Sequence, residues 1–278
     1  MAKIGFFDSK IIKKFSEWTS GISTVASLTL IFIDIPKENK YTLGIIFVLG
    51  LVALYLYIWW WLGNLRNIDI NVDGSTVTIK EGDLFKEAGF KAIAFNEYFD
   101  TKVDEKIISS KSINGIFLKK YLSCSIDELD KRIESYRFED SEVQGENVVR
   151  MDGKRKRFSP GTIYVHDDFL LTAFAKFDEQ NRAWLTMPDY LEFLLHFWDK
   201  VNKVYAQENV SVPIFGSGIT RIKEHKNISD EELLKIMLWT FRISEMRFKY
   251  PAKLTIVIHS GKIDSINLLD IKSARNGL

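Results

Sequence analysis

The sequence predicts an α/β protein, a largely parallel or mixed sheet covered by helices on both faces, preceded by a helical hairpin that crosses a membrane. Three observations carry that expectation. Residues 41–62, YTLGIIFVLGLVALYLYIWWWL, run for 22 residues without a charge. From Asn71 onward, short runs rich in β-branched and aromatic residues alternate with segments of helical period. Residues 18–62 are almost uncharged, whereas most of the 38 basic and 37 acidic residues lie beyond them, which separates a lipid-facing part from a water-facing part. The chain is long enough for one sizeable core and an extra element.

The uncharged run is a membrane span by length: 22 residues at ~1.5 Å each reach ~33 Å, against a hydrocarbon core of ~30 Å. Trp59, Trp60 and Trp61 close it, where amphipathic rings settle at the headgroup level. Residues 18–35 are apolar enough for a preceding span but carry Ser20, Ser23, Thr24, Ser27 and Thr29 and end near Asp34. Thr19, Ser23 and Ser27 recur every four residues, a face for close helix packing within the chain or between subunits. There is no small-residue cleavage site, and a full span follows residues 36–40, so a retained hairpin is expected rather than a cleaved signal peptide. Lys3, Lys10, Lys13, Lys14 and Arg66 flank the pair, against Lys37 and Lys40 in the connecting loop, which predicts both termini in the cytoplasm. Residues 6–18 could form an amphipathic surface helix. The expected division is 1–17 for that segment, 18–62 for the hairpin and 70–278 for the soluble domain.

In the soluble part STVTIK, KAIAF, GTIYV, FLLTAFAKF, VSVPIF and KLTIVIHS read as strands. Three helices separate them. Ser125 with Glu128, and Ser229 with Glu232, form capping-box patterns that open SIDELDKRIESY and SDEELLKIMLWTFRISEM. The third helix, MPDYLEFLLHFWDKVNKVYA, puts Leu191, Leu194, Trp198, Val201 and Tyr205 at helical spacing, a core stripe.

A net charge of +1 argues against a nucleic-acid partner, and the KRKR run at residues 154–157 reads as a solvated loop. Cys124 is alone, so it forms no intrachain disulfide, and it reads as a packing residue. His166, His196, His225 and His259 have no ligand spacing, so no metal site is expected. Asp167 and Asp168 form a polar turn between strand-like runs.

Ligands of such sheets collect at the carboxyl ends of the strands. VPIFGSGITRI puts Gly216 and Gly218 there; glycine admits positive φ and close backbone approach, so successive N–H groups can cup an anion. Ser217 and Thr220 add hydroxyls and Arg221 a charge. By itself the pattern also fits a strand-ending turn. Its companions are EGDLF, with Asp83 straight after the first predicted strand, FNEYFDT after the second, and SINGIF, another glycine turn.

This set resembles a macro domain, a three-layer α/β/α module that binds ADP-ribose. More narrowly, NEYFDT, SINGIF, GTIYV and VPIFGSGITRI are similar to the macro domain of the membrane-anchored Thoeris antiphage effectors. The likeness covers about residues 70–270, and the two preceding spans match that architecture. It implies that Asp83 holds the adenine amino group, with Leu84 contributing backbone. Asn96 and Asp100 would lie near the distal ribose. Ser112, Ile113, Asn114 and Gly115 would clasp the pyrophosphate from one side, and Gly216, Ser217, Gly218, Ile219, Thr220 and Arg221 from the other.

Hydrolytic macro domains follow an asparagine-rich strand end with a run of glycines. FNEYFDTKVDE has none, which favours a receptor without catalytic residues or a cofactor. The resemblance implies a membrane effector of the bacterial inner membrane. It would be multi-pass and homo-oligomeric, would respond to an ADP-ribose-derived signal from a partner TIR-domain enzyme, and would harm the membrane lipid when triggered. In this branch the signal would be a histidine-ADP-ribose conjugate. A membrane-tethered ADP-ribosyl hydrolase using Asn96, Asp100 or the Asp167–Asp168 pair is the rival, and a passive scaffold for ADP-ribosylated proteins is a third reading.

Overall fold

The computed structural model describes residues 4–273 other than 34, 219, 224, 226 and 250; of Arg221 only the backbone is described. The chain forms two compact units, Met1–Arg66 with Ile266–Asp270, and Asn67–Ser265 with Ile271–Leu278.

The first unit holds α1 (Ser9–Leu30) and α2 (Lys37–Gly63). Asp8 caps α1, its carboxylate accepting from the Lys10 N–H at 2.8 Å. The expected surface helix and first span are therefore one continuous helix. Its charged first half ends at Glu17, leaving 13 uncharged helical residues that reach ~20 Å, short of a ~30 Å core. Among the described residues, one helix is long and apolar enough to cross a membrane: α2. Only 6% of its apolar stretch is buried, so it is not a core helix.

Ile58 and Leu62 of α2 are the exceptions, buried against Ile4 and Ile11 with Phe15, Leu54 and Tyr55 around them. Thr19 and Ser23 are half-buried while Ser27 is exposed, so the small-residue face is only partly covered within the chain. Thr24 and Thr29 satisfy their hydroxyls on the carbonyls four residues back, which suits an apolar surrounding. Trp60 and Trp61 are exposed, but Trp59 turns inward and donates its indole N–H to the Ile4 carbonyl at 3.3 Å.

The second unit is built on a sheet that numbers nine strands among the described residues, in the order β1-β2-β11-β9-β3-β7-β8-β10, with β6 also paired to β7. In chain order these are β1 (Asn67–Val72), β2 (Ser75–Glu81) and β3 (Phe90–Asn96). There follow α3 (Ile113–Ile116), which runs on into a π-helical turn (Phe117–Tyr121), and α4 (Ile126–Ser135). A separate hairpin, β4 (Val143–Glu146) and β5 (Lys156–Phe158), precedes β6 (Ile163–His166), β7 (Phe169–Phe177) and β8 (Ala183–Leu185). The chain closes with α5 (Met187–Val204), β9 (Val210–Pro213), β10 (Arg221–Ile222), α6 (Asp230–Ile243), β11 (Leu254–Ile258) and α7 (Leu268–Ser273).

The run β2-β11-β9-β3-β7 is parallel, β1 is antiparallel to β2, β6 and β8 are antiparallel to β7, and β10 runs parallel to β8, so the sheet is mixed. Its strands alternate between two cores. Leu171 and Ala173 of β7 join Ile93, Phe95, Phe117 and Leu129 on the α3–α4 face. Phe174 instead meets Phe193 of α5 at a ring separation of 4.6 Å, and Phe193 and Phe197 both pack on Phe215 at the end of β9. The core stripe of α5 holds for Leu194, Trp198, Val201 and Tyr205, joined by Tyr190, Phe193 and Phe197. Leu191 is only half-buried.

The Ser229–Glu232 box closes in both directions. At α4 only the Ser125 half forms, because the Glu128 carboxylate turns to Arg132. Thr186 and Asp189 form a further box at α5.

Candidate functional site

All five parallel strands end on one edge. Asp83 and Gly216 lie just beyond the ends of β2 and β9, and Asn96 closes β3, so all three belong to this carboxyl edge. In strand order β11 stands between β2 and β9, and β9 borders β3; at ~4.8 Å per neighbouring strand, β2 and β3 lie ~14 Å apart.

Asp83 is exposed at the start of a 3-10 turn, Leu84–Lys86; one carboxylate oxygen accepts from the Phe85 N–H at 3.1 Å, and the other has no partner among the described residues. Leu84 buries its side chain, so its backbone is what it can offer a ligand.

Asn96 and Asp100 sit in a buried corner. The Asn96 amide donates to Asp100 at 2.8 Å and accepts from the N–H groups of Tyr98 and Asp100. Both Asp100 oxygens meet Arg150, at 2.7 and 3.2 Å, and one also accepts from the Lys154 N–H at 2.8 Å. Arg150 lies flat over the Tyr98 ring, 3.9 Å from its centre. Phe99 takes a positive φ of 50°, and the Lys154 ammonium caps its carbonyl at 2.6 Å. Glu97, buried beside them, takes Arg157 on one oxygen and the Phe177 N–H on the other. The β4–β5 hairpin is thereby riveted to the corner by two arginine–carboxylate pairs. This corrects the KRKR reading: Lys154 pairs with Asp130, Lys156 lies over Phe138 and Phe158, Arg157 holds Glu97, and only Arg155 is exposed. Spacing in sequence hides this, because the Arg157 partner, Glu97, lies 60 residues away.

The two glycine turns differ in kind. Gly216 has a φ of +83°, and a Cβ there would meet only ordinary contacts at 3.6 Å with Leu233 and Tyr190, so its conformation rather than crowding demands glycine. Gly218, expected to need a positive φ as well, is outside that region; a Cβ there meets nothing within 4 Å. Only space for an approaching group argues for glycine at 218. Tyr190 fixes the loop's root, its hydroxyl donating to the Phe215 carbonyl at 2.9 Å; full burial pushes that hydroxyl far above its ordinary pKa. Ile219 lies outside the described residues, as does the Arg221 side chain; the Arg221 backbone forms the short strand β10, and Thr220 is half-buried.

In the other turn Ser112 caps α3, accepting from the Gly115 N–H, and its hydroxyl also meets the Ser109 carbonyl and the Asn114 side chain. Gly115 is a packing glycine, for a Cβ there would stand 2.1 Å from the Ser109 carbonyl oxygen. Ile113 starts this turn and packs against the core. Among the described residues no hydrogen bond joins it directly to residues 216–218 or 220.

Asp167 and Asp168 fall in the β6–β7 turn at the opposite, amino-terminal edge of the sheet. There Ser123 donates to Asp167 at 2.5 Å and lies 3.3 Å from His166, with Cys124 beside them; burial pushes the Cys124 thiol up. Among the described residues no group of three or more His, Cys, Asp or Glu could hold a metal ion.

Residues 77–259 match the family model described as Thoeris protein ThsA, Macro domain. The chain belongs to this family. Beyond the macro domain, the chain is 37% identical over 275 residues to the Thoeris protein ThsA of Bacillus amyloliquefaciens (strain Y2), covering 96% of this chain and 92% of that one. The likeness therefore extends into the N-terminal helices. Among solved structures the macro domain is similar to the Oceanobacillus iheyensis macrodomain with ADP: 15% identity, 76% of this chain and 98% of that one, TM-score 0.47. A second similar structure is the same macrodomain with MES bound, at 16% identity, 76% and 98% coverage and TM-score 0.45. Likenesses at that level add nothing on function.

Proposed function

We propose that this chain is a membrane effector of antiphage defence whose macro domain binds an ADP-ribose-derived signal, with histidine-ADP-ribose the first candidate. The signal would come from a partner TIR-domain enzyme, and the response would damage the cell membrane. The observation that carries this reading is that Asp83, Gly216 and Asn96 all sit at the carboxyl ends of parallel strands on one edge of the sheet, in a family named for Thoeris. Asp83 is the acceptor for the adenine amino group, and residues 216–221 are the pyrophosphate loop. The corner at Asn96 is the wall at the distal ribose. Asp100 positions that wall rather than touching ligand, because Arg150, Lys154 and Asn96 already occupy its oxygens.

That saturation supports a receptor over a hydrolase, since a carboxylate whose oxygens are taken by Arg150, Lys154 and Asn96 is not placed to receive a proton from water. In the same reading α2 spans the membrane, α1 accompanies it as a shorter second span, and both ends of the chain are cytoplasmic. The exposed Ser27 and the apolar flanks of both helices form the contact between subunits. Calorimetry of the full chain in nanodiscs tests this. Binding of ADP-ribose or its histidine conjugate at one site per chain, with the nucleotide recovered intact by mass spectrometry, is expected. Turnover to free ADP-ribose would return the hydrolase.

A further inference from the structure

The carboxyl edge carries one charged group in an unusual position. Strand β11 lies between β2 and β9, hence between the adenine and phosphate positions, and the chain leaves it at Ile258. The turn that follows is fixed by backbone bonds from Lys262 and Ile263 to the His259 carbonyl. Its geometry aims the half-exposed Lys262 side chain across β9: the ammonium donates to the Ser217 carbonyl, inside the glycine loop, and pairs with Asp230 in the first turn of α6 at 3.0 Å.

Three other described cations are held elsewhere. Arg150 is buried on Asp100, Lys154 bridges Asp130 and the Phe99 carbonyl, and Lys223 lies 3.4 Å over the Trp184 ring. Lys262 holds a neutral carbonyl and a carboxylate that water also reaches, a pair worth little by itself. A pyrophosphate offers the same ammonium two charges and more oxygens, and a lysine on a flexible stem can turn to them.

We propose that Lys262 is a phosphate latch. Without ligand it bridges the glycine loop at Ser217 to the α6 N-terminus at Asp230, which stands in for the phosphate. The diphosphate of a nucleotide displaces Asp230, takes the ammonium, and releases the Ser217 carbonyl, so that loop and helix become free to move apart. The ligand class is a nucleoside diphosphate extended by a second ribose. This rests on the nucleotide reading above, and it adds the group that senses the phosphate.

The test is calorimetry on the full chain with Lys262→Met, Lys262→Arg and Asp230→Asn, using ADP-ribose, adenosine and inorganic pyrophosphate at two salt concentrations. Lys262→Met should weaken ADP-ribose about tenfold or more, leave adenosine unchanged and flatten the salt dependence. Lys262→Arg should restore most of the loss. Asp230→Asn should tighten ADP-ribose by about two- to fivefold, because the competing carboxylate is gone; a merely structural brace would not produce that gain. Equal losses for adenosine and ADP-ribose, or a loss in Asp230→Asn, would overturn the latch. If the wild-type chain ignored ADP-ribose but bound pyrophosphate through Lys262, the latch would stand and the nucleotide reading would fall. If it bound neither, both would fall.

Discussion

The corner at Asn96 and the loop at Gly216 follow adjacent strands, β3 and β9, yet they are built on opposite rules. In the corner, buried carboxylates at Glu97 and Asp100 are each satisfied by an arginine, and the polar side chains of Asn96 and Asn147 are bonded as well. In the loop, residues 216–218 are half-buried or exposed, glycine sets the backbone, and the holding contacts are one tyrosine hydroxyl and one ammonium. A buried ion pair cannot change partners without exposing a bare charge to low dielectric. A half-exposed ammonium can. The corner therefore serves as a fixed wall and the loop as the adjustable side, although both follow glycine- or asparagine-bearing strand ends that look alike in sequence.

The contrast breaks most readily at Arg150. Arg150→Met leaves the Asp100 carboxylate buried without its cation, costing ~3–5 kcal/mol, and should lower the melting temperature by roughly 10 °C; an unchanged melt would mean that the corner is not a rigid wall. Gly115→Ala drives a methyl into the Ser109 carbonyl and should cost about 3 kcal/mol, seen as a lower denaturant midpoint. Asp83→Ala should cut ADP-ribose affinity by ~10- to 150-fold, the equivalent of ~1.5–3 kcal/mol, while the fold survives; equal affinity would misplace the adenine.

Within the loop the glycines should separate. Gly216→Ala costs about 1 kcal/mol through its left-handed φ, whereas Gly218→Ala stays within ~0.5 kcal/mol. Gly218→Val should block phosphate while leaving stability alone, and intact affinity in that variant would show that the loop cups no anion. The smallest effect is acidic. Asp104 accepts the Ile107 and Lys106 N–H groups in the segment leading to the Ser112 turn, and the bond from Ile107 chiefly holds its pKa at about 2, below the ordinary 3.8. Its folded value is depressed, so its stabilisation is complete above about pH 4 and is lost as pH falls through 2. Asp104→Asn should flatten that part of a melting-versus-pH curve.

How much of this was legible follows from sequence distance. FLLTAFAKF is the whole of β7, Phe169–Phe177, because an apolar run bounded by polar turns has little else to be. The edge strand β1 alternates Ile68, Ile70 and Val72 with Asn67, Asp69 and Asn71, and its polar half masked a strand that starts at Asn67. At two and three residues, β10 and β8 are too short to show a period. Glycines could be located but not sorted, since φ and neighbouring backbone are properties of the fold: Gly115 is required by packing, Gly216 by conformation and Gly218 by neither. Arg150 and Lys262 were invisible, for their partners lie 50 and 45 residues away in the chain. Helix α1 came out continuous because charge patterning separated what backbone propensity joined.

The saturated corner also sets a clock. The amide hydrogens of Tyr98, Asp100 and Lys154 are each donated to a buried side-chain oxygen rather than to a neighbouring strand. Such protons exchange with solvent only when their acceptor lets go, and here the acceptors Asn96 and Asp100 hold each other. The three should therefore exchange together and late, on the timescale of sub-global opening rather than of loop motion.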